Sequence, residues 1–208
     1  MPPSRGAGLT RESVLEAALA IIDRDGADAL SMRRLGTELN TTGMAVYYHF
    51  ANKAELLAEL AAFLLEGMDR SLPDPAEVDC ADWLAEVARS YVSIVFDHPN
   101  IAPILLSHPF RTRARHEGEM VLAVLASHGI EPGDGIAILD AVEAFALGFG
   151  LISRRPVEWL RPQEQEVSRY PHLAAGMAAN PRTLQQEFEL GARALIAGLL
   201  AGFRVSER

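Results

Sequence analysis

The stretch from Ser31 to Lys53 constrains the fold more than any other part of this 208-residue chain. It reads S-M-R-R-L-G-T-E-L-N-T-T-G-M-A-V-Y-Y-H-F-A-N-K and contains two short helical patterns separated by a tight turn. Ser31 suits the N-terminal cap of the first helix, and either Thr41 or Thr42 suits that of the second. Asn40 suits the left-handed residue that ends the first helix. The window therefore predicts a compact pair of short helices.

The rest of the chain also predicts helices, because apolar residues recur at spacings of three and four and no sustained alternation appears. Thr10 caps a first helix that Gly26 ends, and Asn52 with Glu55 forms a capping pair that opens a fourth helix running to about Ser71. Later helices are expected over residues 80–97, 101–107, 112–128, 133–155 and 184–203. Residues 156–182 contain four prolines and predict a loop with a short helix. The predicted fold class is all-α.

The composition favours a soluble intracellular protein. Cys80 is the single cysteine, which excludes an internal disulfide and a zinc site built from several cysteines. The N-terminus has no signal-peptide pattern, and the apolar stretch of residues 136–153 carries Asp140 and Glu143. The apolar stretch of residues 194–203 is too short for a bilayer, which needs about 20 residues. We therefore expect a cytoplasmic protein without a membrane contact.

The net charge of −9 is unevenly distributed along the chain. Residues 1–55 carry six basic and seven acidic side chains, whereas residues 56–208 carry thirteen and twenty-one. Because net charge governs long-range steering rather than local contacts, the nearly neutral first part remains compatible with nucleic acid. The acidic second part predicts weak non-specific DNA binding with a marked salt dependence.

The helix pair predicts a helix-turn-helix unit whose second helix, about Thr42 to His49, enters the major groove of DNA. Arg33 is the candidate for bidentate guanine recognition, with a phosphate contact or a solvent-facing position as the alternatives. Tyr47, His49 and Lys53 can donate to phosphate oxygens, and Tyr48 is expected in the core. The full set of predicted DNA contacts is Arg33, Thr41, Thr42, Gly43, Met44, Ala45, Tyr47, His49 and Lys53.

The run A-V-Y-Y-H-F-A-N-K-A-E-L-L at residues 45–57, after the S-M-R-R-L-G-T-E-L helix, resembles the TetR family of bacterial repressors. The resemblance covers roughly the first 60 residues closely, and beyond them it is one of helix pattern and length. Asn40 replaces the usual glycine, and Met44 and Ala45 replace residues common in the family, so the operator sequence cannot be inferred. The resemblance implies a helix-turn-helix domain over residues 1–55 and a helical effector-binding and dimerisation domain over residues 56–208.

Family members dimerise through their last two long helices, and the chain has a stripe of small residues in each of the corresponding segments. Such stripes let helices approach closely, although packing within one chain is the alternative. A dimer is expected because useful operator affinity needs two recognition helices on a palindromic site. The predicted interface residues are Ala137, Ala141, Ala144, Gly148, Gly191, Ala194, Gly198 and Gly202.

The resemblance also implies a small effector that binds among the later helices and releases the repressor from DNA. We expect a mostly apolar pocket with a few polar groups, although most of these side chains also suit an ordinary core. The predicted lining residues are Phe63, Met68, Trp83, Tyr91, Ile104, Leu105, His108, Met120, Phe145 and Phe149.

The segment from His98 to Pro109 is similar to the tetracycline-responsive branch, where a histidine in a short helix helps to hold a magnesium–drug complex. Ile104 stands in that place, and isoleucine cannot ligate a metal. We therefore expect no metal, no cofactor and no tetracycline response, and the effector remains unidentified.

Two other function classes are alternatives to this prediction. A di-iron helical enzyme needs Glu-x-x-His pairs and a serine hydrolase needs Gly-x-Ser-x-Gly, and the sequence contains neither pattern. We therefore predict that the chain is not an enzyme. The second alternative keeps the DNA-binding domain without small-molecule control, as in an activator or a regulator that senses a protein partner.

Overall fold

A computed structural model describes residues 9–69, 72–107, 115–153, 169–180 and 182–205. Within these ranges the chain is all-α, with ten α-helices and no strand, which confirms the predicted fold class. Two 3₁₀ helices, Ala27–Ala29 and Pro99–Ile101, lie between α-helices. The α-helices are α1 (Arg11–Asp25), α2 (Met32–Glu38), α3 (Gly43–His49), α4 (Lys53–Asp69), α5 (Cys80–Asp97), α6 (Ala102–Ser107), α7 (Arg115–Ser127), α8 (Pro132–Ile152), α9 (Pro171–Ala179) and α10 (Leu184–Val205).

The helices belong to two compact units. The first unit contains Met1–Ser71 and Asp97–Val121, and the second contains Leu72–Phe96 and Leu122–Arg208. Helices α1–α4 and α6 are thus in the first unit, whereas α5, α8, α9 and α10 are in the second. The functional border predicted at residue 55 lies within α4 and remains a prediction.

The core of the first unit forms around α1, which packs on α2, on α4 and on the second 3₁₀ helix. Val14, Ala18 and Ile21 lie on one side of α1 and are fully buried, as are Val46 of α3 and Phe50 after it. Burial of a large apolar side chain contributes roughly 1.5–3 kcal/mol. This packing is needed because helices as short as α2 and α3 are unstable alone.

Local capping contacts fix where the helices of the first unit begin and end. Thr10 caps α1 as predicted, and Gly26 ends it with a φ of 83°. The Asn52 side chain accepts a 2.8 Å hydrogen bond from the Glu55 N–H at the start of α4. The Glu55 carboxylate accepts one from the N–H of Ala51 at 2.8 Å, one residue earlier than in the standard capping box.

The second unit is organised by the packing of α8 on α10. Phe188 of α10 lies 5.4 Å from Phe145 and 5.3 Å from Phe149 of α8, measured between ring centroids. A Cβ atom added to Gly191 would lie 2.6 Å from the Phe145 ring, so glycine permits this approach of the two helices. Gly150 similarly permits close approach of α8 to α5.

Helix α8 is long and apolar enough to cross a membrane by length and composition alone. Several of its side chains, including Ile138 and Val142, are buried within the second unit. The same helix carries Glu143, which accepts a hydrogen bond from Tyr91. These contacts are those of a core helix.

Candidate nucleic-acid interface

Two glycines allow α2 and α3 to cross at very short range. A Cβ atom added to Gly36 would lie 2.5 Å from both the Gly43 nitrogen and the Thr42 carbonyl carbon. The Gly36 carbonyl also accepts a 2.7 Å hydrogen bond from the Thr41 N–H. Asn40 takes the predicted left-handed conformation, with a φ of 52°. The turn is therefore tight and sterically determined. Sequence analysis did not identify Gly36, although a glycine inside a helical pattern is a signal of close packing.

Both short helices begin at the side chains that the sequence predicts. The Ser31 hydroxyl accepts a 3.2 Å hydrogen bond from the Arg34 N–H at the start of α2. The Thr42 hydroxyl accepts one of 3.3 Å from the Ala45 N–H at the start of α3. These caps satisfy backbone donors that a helix start leaves unpaired.

The outer face of α3 exposes three large side chains. Met44 is 78% exposed, Tyr47 50% and Tyr48 88%. Their spacing of three and four places them on one side of the helix, away from buried Val46 and Phe50. The prediction that Tyr48 packs in the core is wrong, because Val46 and Phe50 supply the buried face of this short helix.

Two adjacent arginines of α2 have different surroundings. The Arg34 guanidinium forms an ion pair with Asp25 and donates to the carbonyl of Ala29. The Arg33 side chain is exposed and has no hydrogen bond or ion pair within the described residues. A Cβ atom added to Gly43 would lie 3.3 Å from the Arg33 Cα, so Gly43 packs against the Arg33 backbone. Arg33 therefore lies beside the first turn of α3. Arg33 is thus available to a ligand, whereas Arg34 stabilises the fold.

The Lys53 ammonium is already engaged within the first unit. Its Nζ donates to the carbonyl of Ala27 at 2.9 Å and to that of Leu30 at 2.8 Å. These bonds tie the start of α4 to the connection between α1 and α2. Because an ammonium has three N–H donors, one remains for a phosphate. Lys53 therefore also stabilises the first unit, a role that sequence analysis did not predict.

Arg11 holds the C-terminal end of α3, and sequence analysis did not identify it. Its Nη1 donates to the His49 carbonyl at 2.5 Å, and its guanidinium lies 4.3 Å from the centroid of the Phe50 ring. Glu55 and Glu59 of α4 lie 3.8 and 3.5 Å from its Nη2. A cation is favourable at a helix C-terminus, so Arg11 fixes α3 against α4.

The remaining predicted contacts lie at the start of α3 and around its C-terminal end. Thr42 is exposed, Thr41, Gly43 and Ala45 are half-buried, and the His49 ring is half-buried beside Tyr48. All nine predicted DNA contacts belong to the first unit, between Arg33 of α2 and Lys53 of α4.

Comparison with known proteins shows which family the chain belongs to. Residues 14–60, which include the helix-turn-helix, match "Bacterial regulatory proteins, tetR family". Residues 72–202 match "Tetracyclin repressor-like, C-terminal domain". This chain belongs to the TetR family. Proteins of this family are DNA-binding transcriptional regulators rather than enzymes, which confirms the prediction of a non-enzyme.

Three relatives illustrate the similarity. An HTH-type transcriptional regulator of Saccharopolyspora erythraea is 29% identical, over 93% of this chain and 85% of its own length. The class D tetracycline repressor protein of Escherichia coli is 31% identical, over 68% of this chain and 65% of its own. ActR of Streptomyces coelicolor is 28% identical. Its apo structure matches with a TM-score of 0.77 and covers 96% of this chain and 99% of the ActR chain. Its complex with actinorhodin matches with a TM-score of 0.75 and covers 94% of this chain and 99% of the ActR chain.

Most residues of the small-residue stripes that are expected to form a TetR-type dimer are exposed in this chain. Ala137, Ala144, Ala194, Gly198 and Gly202 are exposed, and Ala141 and Gly148 are half-buried. A Cβ atom at Gly148, Gly198 or Gly202 would meet nothing within 4 Å. Gly191 differs from them, because it packs against Phe145 inside the chain and serves the contact between α8 and α10.

The predicted effector residues are divided between the two units. In the first unit Ile104 and Leu105 are buried, and Phe63 and Met120 are half-buried. In the second, Trp83 and Tyr91 are buried, and Phe145 and Phe149 are half-buried in the cluster with Phe188. His108 and the Met68 side chain lie outside the described residues.

The second unit also contains a buried polar pair that includes a residue missed by sequence analysis. The Tyr91 hydroxyl donates to the Glu143 carboxylate at 2.9 Å, and Tyr91 is only 2% exposed. Burial raises the Tyr91 pKa well above its ordinary range, and the neighbouring Glu143 charge raises it further. On the same helix α5, the Trp83 indole donates to the Pro73 carbonyl at 3.0 Å. Trp83 and Tyr91 are thus buried residues of the second unit whose polar atoms are hydrogen-bonded within the chain.

Proposed function

We propose that this TetR-family chain is a ligand-responsive repressor in the cytoplasm. A homodimer binds a palindromic operator and blocks transcription, and a small, mostly apolar effector releases it. The observation that carries the DNA-binding part is the exposed set of Arg33, Met44, Tyr47 and Tyr48 on a tightly crossed and capped helix pair.

Each side chain of the proposed DNA interface has a distinct role. Arg33, free of internal partners in the described residues, is positioned to donate to guanine. Tyr47 and His49 donate to phosphates, as does the third N–H of Lys53. Thr41, Thr42, Gly43, Met44 and Ala45 form the part of the helix-turn-helix that approaches the bases.

The dimer is proposed to form through α8 and α10. Proteins of this family act as dimers, and the open positions at Gly148, Gly198 and Gly202 would let these two helices meet their copies closely. Leu190 in α10 and Ile152 in α8 are 56% and 57% exposed, and their burial would add apolar contact area.

Packing within the first unit supports a route by which an effector could act on α3. Helix α4 packs on both α1 and α6. Before α6, the Asn100 amide donates to the carbonyls of Ile22 and Asp23 at 2.9 and 3.1 Å, and His98 Nδ1 lies 2.8 Å from the Asp23 carboxylate. We infer that an effector that shifts α6 would move α1 and α4, and with them α3. The ActR–actinorhodin complex supports small-molecule control in this group of proteins.

A selection from random duplexes tests the DNA-binding proposal. The purified chain should enrich a palindrome whose half-site centres are about 10–10.5 base pairs, or 34–36 Å, apart. Enrichment of no sequence, with binding that heparin removes equally from all duplexes, would contradict the proposal.

Calorimetry on the selected operator separates effector control from its alternative. For any ligand that releases the operator, the operator must weaken ligand binding by the same factor. Equal affinity of a bound ligand with and without operator would show that this ligand does not control operator binding, and would favour a regulator without small-molecule control, either an activator or a partner-sensing protein.

A further inference from the structure

The first turn of α3 offers few hydrogen-bonding side chains to a ligand. Gly43, Met44 and Ala45 carry no strong hydrogen-bonding side chain. The Thr42 hydroxyl beside them already accepts a hydrogen bond from the Ala45 N–H. That hydroxyl keeps its own O–H donor, so side-chain hydrogen bonds to bases from this turn are limited to Thr42.

Met44 is the side chain that this turn projects outward. It is 78% exposed and begins the stripe that continues through Tyr47 and Tyr48. Because a Cβ atom at Gly43 would lie 3.3 Å from the Arg33 Cα, the turn of α3 that carries Met44 lies next to residue Arg33, whose side chain has no internal partner among the described residues. An exposed apolar side chain on a turn that also packs beside an exposed arginine suits a DNA groove, where phosphates surround the base edges.

The major-groove edge of a base pair offers one apolar group, the 5-methyl of thymine. We propose that Met44 reads this methyl group in each half-site, so that the operator contains a required thymine beside the guanine contacted by Arg33. This inference rests on the proposed operator binding. The contact depends on the methyl group itself, so 5-methylcytosine at that position should bind better than cytosine.

Synthetic duplexes of the selected operator test the proposal by replacing thymines with deoxyuridine, one symmetric pair at a time, which removes only the methyl group. At one position the wild-type chain should lose about fourfold in affinity for each half-site, the value expected for one buried methyl group. Met44→Ala should abolish this difference, whereas Met44→Leu should retain most of it. Both variants should keep the preference at the guanine position.

The outcomes distinguish the two proposals. If the chain selects an operator but binds every deoxyuridine duplex as tightly as the thymine duplex, the methyl contact is overturned and operator binding stands. If Met44→Ala retains the full difference, another residue reads the methyl group and the role proposed for Met44 is overturned. If no operator is selected, the proposed function itself fails. Since Met44 is exposed, unchanged thermal midpoints should show that both variants fold.

Discussion

The two compact units use their distinctive side chains in opposite ways. In the first, Met44 and Tyr48 of α3 point into solvent at 78% and 88% exposure. In the second, Trp83 and Tyr91 are 1% and 2% exposed and donate hydrogen bonds inside the chain. A ligand of the first unit therefore meets side chains that are already free. A ligand that used the polar groups of the second would have to replace internal partners, which suits a conformational response.

The largest effect is expected where the first unit has no spare space, at Gly36. In Gly36→Ala the new Cβ would meet the backbone of residues 42 and 43 at 2.5 Å. We expect a stability loss of about 1–3 kcal/mol and loss of operator binding, measured by urea unfolding and by fluorescence anisotropy. Gly67→Ala in α4 is the matched control, since its Cβ would meet nothing within 4 Å. Equal stability of the two variants would contradict the close crossing of α2 and α3.

Lys53→Met tests whether the phosphate donor also holds the fold. Loss of both bonds to the Ala27 and Leu30 carbonyls should cost about 1–3 kcal/mol in unfolding free energy. Operator and random duplexes should both bind more weakly, with a smaller salt slope. Weaker binding with unchanged stability would show that the carbonyl contacts contribute little, and altered base preference would contradict the phosphate role.

Arg33→Ala and Arg34→Ala form a matched pair in which only the first should alter base preference. Arg33→Ala should relax the preference at one base position per half-site by about 1–3 kcal/mol without destabilising the protein. Arg34→Ala should instead lower stability, because it removes the ion pair with Asp25. Repeating the duplex selection with each variant measures the base preference, and urea unfolding measures the stability. An unchanged profile for Arg33→Ala would reassign Arg33 to the DNA backbone.

The smallest effect is expected for Tyr91→Phe in the second unit. Loss of the hydrogen bond to Glu143 should cost about 1 kcal/mol, with unchanged operator affinity in the absence of effector. Tyr170→Phe is the control, since Tyr170 is 45% exposed. If operator affinity drops for Tyr91→Phe but not for Tyr170→Phe, the pair of Tyr91 and Glu143 controls α3 without a ligand.

Comparison of wild type with Tyr91→Phe also tests how the stability of the protein depends on pH. The Tyr91 pKa is raised in the folded state, so the unfolded chain releases this proton at a lower pH. The stability contributed by neutral Tyr91 should be complete below the ordinary tyrosine pKa of about 10 and should decline as pH rises above it. Urea unfolding between pH 8 and about pH 11 should show a steeper decline for wild type than for Tyr91→Phe, and parallel curves would contradict the assignment.

The sequence predicted what depends on neighbouring residues. The caps at Thr10, Ser31 and Thr42 and the left-handed Asn40 are confirmed, because each is determined within a few residues. Helix α9, Pro171–Ala179, is the short helix allowed within residues 156–182, although residues 154–168 and 181 lie outside the described ranges.

The sequence did not predict what depends on distant residues. Arg11 reaches the His49 carbonyl 38 positions along the chain, and Tyr91 reaches Glu143 across 52. Neither periodicity nor capping patterns contain such pairings. Tyr48 was misplaced because Val46 and Phe50 already supply the buried face of this short helix, so both adjacent tyrosines are exposed.

The central claim is that two copies of α3 contact one duplex at a fixed spacing. Binding should be measured on the selected operator and on the same operator with five base pairs inserted between its half-sites, which rotates one half-site by about half a turn. We predict two protomers per duplex on the first and loss of specific binding on the second. One protomer per duplex, or equal affinity for both duplexes, would contradict the account.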